Sequence, residues 1–153
     1  MSLAQHLDPH HVLVGCDVTS KKRLFEEIGF LFERTMNLPR TTIADSLFAR
    51  ERLGSTGLGC GVAIPHGRIK GLKTPQLAAV QLKEAIGFDA IDGVPVELFF
   101  ILLVPENATQ EHLDLLAELA QLLGHETTRL ALKSASTVAM FMAAISATQS
   151  HEA

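Results

Sequence analysis

Arg50, His66 and His112 are residue types that together can handle phosphate. A neutral imidazole is a good nucleophile. A second imidazole can donate to phosphoryl oxygens, and a guanidinium offsets the charge that spreads over those oxygens during transfer. His66 stands out by its setting. It falls near the end of GSTGLGCGVAIPHGR, residues 54–68, between Pro65 and Gly67. Pro65 fixes its own φ and constrains the residue before it. Gly67 removes a side chain beside the imidazole, which leaves room for something large to approach. Each of the three residues also has a plainer reading. A lone histidine is commonly a surface or core residue, an arginine near a helix C-terminus offsets the macrodipole, and His112 can be an exposed polar residue near a helix cap.

Other chemistries fit less well. Gly54, Gly57, Gly59 and Gly61 cluster ahead of His66, but no Lys-Ser/Thr follows them as a nucleotide-binding phosphate loop requires. The G-x-G-x-x-G pattern between strand and helix is also missing. The glycines alone are accounted for by a loop that needs positive φ at several places. Cys60, His66 and His112 are capable of ligating zinc by type, yet their spacing forms no metal motif. His6 and His10 would share a face only if that segment were helical. A Cys60–His nucleophile pair is a further reading, set against Cys60 as a small buried residue.

The elements that must position these residues can be read from pattern. HVLVG, 11–15, reads as a strand. Thr19 or Ser20 caps a helix through SKKRLFEEIGFLFERTM, whose Leu24, Phe25, Ile28, Leu31, Phe32 and Met36 recur at helical period and which Asn37 and Pro39 stop. Thr41 or Thr42 starts a second helix, IADSLFARERL, with Ile43, Leu47 and Phe48 inward. Gly54 ends it, which puts Arg50 near its last turn. GVAIP and QLAAVQL (76–82) read as strands, which places His66 just past a strand, where α/β proteins often hold site residues. GFDAIDGVPV, 87–96, reads as a hairpin connection turning at Asp92-Gly93. VELFFILLVP is a near-continuous apolar run, expected to be a central strand covered on both faces. Asn107 opens a capping-box pattern, with Thr109 as a rival cap, before the helix EHLDLLAELAQLL, packed through Leu113, Leu116, Ala120 and Leu123 and ended by Gly124. Helical segments follow at about 126–133 and 137–147. Helices and strands interspersed in this way predict a single-domain α/β sandwich over 1–153, its core about 5–147, with a mixed central sheet flanked by helices.

Bulk composition sets the bounds. The chain has 153 residues, 47% hydrophobic and 20% charged, enough for one domain with a real core. A net charge of −4 and the lack of a basic run argue against nucleic acid and against a polybasic membrane anchor. The longest apolar run, Leu98 to Val104, is too short to span a bilayer. MSLAQHLDPHH is not built like a signal peptide. Two cysteines make no disulfide framework, so a cytoplasmic, reduced protein is expected.

RERLGSTGLGCGVAIPHGR, 50–68, resembles the phosphorylation-site signature of the mannitol/fructose-type (type 2) enzyme IIA domains of the phosphoenolpyruvate-dependent phosphotransferase system. FDAIDGVPVELFFILLVPENATQEHLDLLAELA, 88–120, resembles the family's apolar strand, V-P and following helix. The likeness runs from about Leu13 to about Ala144. It implies the fold of the mannitol-specific enzyme IIA. It makes His66 the phosphorylated histidine, at its Nε2 (tele) nitrogen, His112 the accessory histidine and Arg50 the site arginine. Ser55, Thr56 and Gly67 are expected to surround the phosphate, and neither a metal nor a cofactor is implied. Cys60 departs from the Asn that relatives often carry. On this reading the glycines let backbone amides gather round the imidazole, and His66 sits in a shallow, open place.

R-E-R-L-G-S-T-G-[IL]-G, with an I-P-H-G-[KR] ending and the KKRLFEE helix, is most like the nitrogen regulatory branch. That implies a phosphoryl-transfer component receiving phosphate from an HPr-like phosphocarrier (the NPr-like protein of that branch). Its phosphorylation state would report to regulatory protein targets, commonly potassium handling and nitrogen-linked gene control. A sugar-specific enzyme IIA feeding a fructose or mannitol permease is the alternative with the same chemistry. A non-catalytic binding module that has kept the fold, and a metal-dependent hydrolase, are alternatives of other classes.

Overall fold

The computed structural model describes residues 3–152, with the side chains at 111–113 and 149–152 left out of the description. Among the described residues, six strands form one mixed sheet. Across it run β1 (Val12–Cys16), β5 (Gln76–Ile86), β6 (Val96–Pro105), β3 (Val62–Ala63) and β2 (Gly57–Gly59), and β4 (His66–Ile69) also pairs with β6. β5 runs antiparallel to β6, and β2 antiparallel to β3. The β1–β5, β3–β6 and β4–β6 pairs are parallel.

The apolar run of β6 is explained by its position. Leu98, Phe100, Leu102 and Val104 face one hydrophobic cluster, and Phe99, Ile101 and Leu103 face the other. A strand covered on both faces has no polar side to show. The first cluster lies under α1 (Leu3–His6), α4 (Gln110–Leu123), α5 (Glu126–Ser134) and α6 (Val138–Glu152), and the second under α2 (Lys21–Met36) and α3 (Arg40–Glu51). The result is the expected α/β sandwich. No helix among the described residues is long and apolar enough to cross a membrane.

Helix ends follow local chemistry. Ser20 caps α2, accepting from the Arg23 amide at 3.1 Å, and Asn37 closes it in the left-handed region at φ 57°. α3 starts at Arg40, earlier than Thr41 or Thr42. Its first orphan amide is satisfied by the preceding helix, as the Arg40 N–H donates to Glu33 Oε2 at 3.1 Å. The turn before β6 closes with the Gly93 N–H donating to the Ala90 carbonyl at 2.9 Å.

Three expectations need correcting. β2 and β4 are strands that the local pattern does not announce, so His66 is the first residue of a strand rather than a residue beyond one. GLG and HGRI lack the β-branched alternation that announces a strand. Their pairing comes from β3 and β6. The GVAIP strand is cut to Val62–Ala63, but β4 resumes along β6 in the same register after Ile64-Pro65. α4 is rotated from its expected face. It buries Leu115, Leu119, Leu122 and Leu123, while Ala120 is exposed and Leu116 is half-buried. Leucines stand on both candidate stripes, and the sheet takes the one without Ala120. Leu113 lies outside the described side chains. The condition for His6 and His10 to share a helical face is not met, because α1 ends at His6 and a separate 3-10 turn holds Pro9–His11.

Candidate functional site

A cleft of about 580 Å³ opens between the C-terminal half of α3 and the face of α4, across strand β4. His66 and Arg68 line it from β4, Arg50 from the last turn of α3, Leu53 from the turn that follows, Leu102 and Val104 from β6, and Leu116 from α4.

Both nitrogens of the His66 ring are held. Nδ1 lies 2.9 Å from the Ile64 carbonyl, which can only accept, so Nδ1 carries the proton. Nε2 then has the lone pair, and the Arg50 Nε–H donates to it at 3.2 Å. Arg50 is itself anchored by its Nη1, which donates to the Gly54 carbonyl at 2.8 Å where the chain turns out of α3. The protonation equilibrium agrees with this geometry. Burial pushes the His66 pKa below the ordinary histidine value, and Arg50 adds to that. The Ile64 hydrogen bond and the Glu51 carboxylate oppose it without reversing it. A half-buried, neutral imidazole with its Nε2 lone pair turned to a guanidinium is a nucleophile beside an anion-stabilising group.

The close fit of α3 on β4 brings Arg50 to His66. A Cβ on Gly67 would fall on the Ser46 side chain, and Ser46 Oγ donates to the Arg68 carbonyl at 2.9 Å. The missing side chain at Gly67 therefore admits α3, and Gly67 also lines the cleft beside His66.

Ser55 and Thr56 use their hydroxyls away from the cleft. Ser55 Oγ donates to the Phe88 carbonyl at 2.9 Å, and Thr56 is buried with its Oγ1 on Glu51 at 2.7 Å. The amides of the glycine-rich stretch are also engaged. Thr56 N–H goes to Glu51, Gly57 N–H to Ser55 Oγ and Cys60 N–H to Asp92. In this state they do not gather round the imidazole. Gly61, at φ 77°, lies so close to Lys133 that a Cβ would come 2.9 Å from Nζ. Cys60 is exposed in a positive-φ turn, not buried, and does not line the cleft. His112 is in the first turn of α4, and its side chain lies outside the described residues. Among the described residues no group of three or more His, Cys, Asp or Glu is placed to hold a metal ion.

Sequence reasoning missed Arg68 and Glu51. Arg68 shares a strand face with His66, which reading HGRI as a strand would have exposed. Glu51 had a different signal: a carboxylate in the last turn of a helix opposes the macrodipole and needs a partner of its own.

A fold of this topology, carrying a neutral histidine beside an arginine in RERLGSTGLGCGVAIPHGR, defines a class. The family model described as phosphoenolpyruvate-dependent sugar phosphotransferase system, EIIA 2, matches residues 5–148, and the chain belongs to that family. Within it the similarity is to the nitrogen regulatory branch. The chain is 47% identical over 136 residues to a nitrogen regulatory protein of Pseudomonas aeruginosa, with 88% of each chain covered. The crystal structure of nitrogen regulatory protein IIA-Ntr from Neisseria meningitidis matches with a TM-score of 0.88 at 48% identity, over 94% of this chain and 98% of that one. The mannitol IIA of Escherichia coli shares the fold, with a TM-score of 0.75 at 19% identity over 90% of this chain and 97% of that one.

Proposed function

We propose that this protein accepts a phosphoryl group on His66 Nε2 from the phosphohistidine of an HPr-like carrier (NPr-like), and that its phosphorylation state regulates cytoplasmic protein targets such as those of potassium handling and nitrogen metabolism. The observation that carries the reading is the pair of bonds on the imidazole, which leaves the nucleophilic lone pair on Nε2, beside Arg50. The P–N bond to the carrier breaks and its electron pair returns to the carrier's imidazole as the Nε2–P bond forms. His66 keeps its Nδ1 proton on the Ile64 carbonyl, so no base is required. Arg50 Nε–H moves from the lone pair to a phosphoryl oxygen, where a charge-assisted bond is stronger. His112, in the first turn of α4, is proposed as a second donor, and Arg68 adds positive charge to the cleft.

The nitrogen regulatory relatives favour a regulatory recipient over a sugar permease. The test is incubation of the full chain with the phosphoenolpyruvate-driven carrier system, read by intact mass. The parent should gain one acid-labile phosphoryl group, and His66→Ala should stay folded and gain none. Phosphate on the Ala variant would sink the assignment.

A further inference from the structure

We infer that Glu51 is a positioning residue for His66, acting through the backbones of residues Thr56 and Ile64 to keep the imidazole proton on Nδ1. The inference rests on His66 as the phosphoryl acceptor and adds how its reactive tautomer is held.

The chain of contacts is continuous. The Glu51 side chain is 4% exposed. Both of its oxygens accept from the Thr56 N–H at 3.2 Å, and Oε1 also accepts from Thr56 Oγ1 at 2.7 Å. The Thr56 carbonyl accepts from the Ile64 N–H at 3.0 Å. The Ile64 carbonyl accepts from His66 Nδ1–H at 2.9 Å. Arg50, adjacent to Glu51 in sequence, holds the other ring nitrogen at 3.2 Å. One helix end thus grips both sides of the imidazole, Nε2 directly and Nδ1 through the backbones of two residues, Thr56 and Ile64.

A buried carboxylate is an expensive way to tie down a turn. Its charge opposes the α3 macrodipole and must leave water. It is retained with a counter-ion from another element, as Lys21 Nζ of α2 lies 3.1 Å from Oε2 and 4.2 Å from the Phe88 ring centroid. A neutral side chain could fill the volume. Only a carboxylate accepts from the Thr56 amide, the Thr56 hydroxyl and an ammonium together. Which ring nitrogen bears the proton is set by the bond the other nitrogen makes. In water the Nε2–H form is the commoner one, and it has no lone pair on Nε2. The carbonyl that prevents this form is Ile64's, in the Ile64–Pro65 peptide, and residue Ile64 is held one peptide earlier, where its N–H donates to the Thr56 carbonyl.

The experiment compares the parent with Glu51→Gln, Thr56→Val and the conservative Thr56→Ser. Ring nitrogen NMR of unphosphorylated, full-length protein reads the His66 tautomer, and intact mass against time reads phosphoryl uptake. The parent and Thr56→Ser should show Nδ1–H alone. Glu51→Gln and Thr56→Val should show a mixture with Nε2–H and take up phosphate roughly three- to tenfold more slowly, following the loss of the competent tautomer. A general packing defect would lower stability without moving the tautomer. If Glu51→Gln does not fold, the Thr56→Val and Thr56→Ser pair decides the question. Folded variants with a parental tautomer and parental uptake would overturn the inference and leave the acceptor role of His66 standing. A tautomer shift in a protein that never takes phosphate would uphold the positioning role and remove the phosphoryl reading.

Discussion

At His66 the physical issue is where one proton sits. Arg50 donates to Nε2, so a second proton on the ring would set an N–H against an N–H and a cation beside a guanidinium. Burial and Arg50 both depress its pKa. The consequence for stability has a definite sign. Between the lowered folded value and the ordinary value near 6.5, the unfolded chain binds a proton that the folded chain does not. Stability is therefore fully present above about pH 6.5 and is lost as the pH falls through that window. His11 adds in the same direction, since burial lowers its pKa too. Urea denaturation of the parent between about pH 7.5 and 5 should show falling stability, with a shallower fall in His66→Gln. Equal slopes would mean that His66 takes no part in the linkage.

The element that matters most is α3 seated on β4. Gly67 lets the two approach, and Ser46 satisfies the Arg68 carbonyl on the strand. Gly67→Ala should push α3 outward and destabilise by about 1–3 kcal/mol, the range for overpacking a tight contact. Because Arg50 lies on the same helix, phosphoryl uptake should slow as well. Adding Ser46→Ala should recover part of the stability by removing the nearest atom. Chemical denaturation and uptake rate, measured on the single and double variants, check this. A Gly67→Ala protein of parental stability would show that α3 is not held by this contact.

For the whole molecule, the sheet must be tied to both helical layers. On the α2–α3 side, apolar residues of the two helices and of β5 and β6 pack into one hydrophobic cluster. On the other side, Gln81 interrupts the apolar face of β5, and it is only 5% exposed. Its Nε2 donates to the Leu132 carbonyl at 2.8 Å and the Ala135 carbonyl at 2.7 Å, and its Oε1 accepts from the Gly15 N–H at 3.0 Å. One side chain thus joins β1, β5 and the end of α5. Gln81→Met should cost roughly 1–3 kcal/mol for each buried group left unpaired. Phosphoryl uptake at a temperature where the variant is folded should be unchanged, since Gln81 does not line the cleft. A thermal melt and an uptake assay on one preparation separate the two effects. An unchanged melting temperature would show that water or neighbouring groups replace the glutamine.

Local signals carried much of this fold. The β6 run, the α2 stripe with Ser20 and Asn37 at its ends, and the turn that closes at Gly93 were legible because each is written in adjacent or helically spaced residues. So was the position of Arg50 near a helix end. Other features depend on partners distant in the chain. GLG and HGRI become strands only because β3 and β6 offer them a ladder. α4 has leucines on two stripes, and contact with the sheet chose between them. Gly67 is explained by Ser46, twenty-one residues earlier in the chain. Glu51 gains its role from Thr56 and from Lys21 on another helix. The sequence by itself marked the side chains proposed to handle phosphate and most of the segments that form the layers. The tertiary structure decided which nitrogen of His66 carries the lone pair, because a tautomer is set by the bond Nδ1 donates to Ile64 and the bond Nε2 accepts from Arg50, and these exist only once β4 and α3 have packed together.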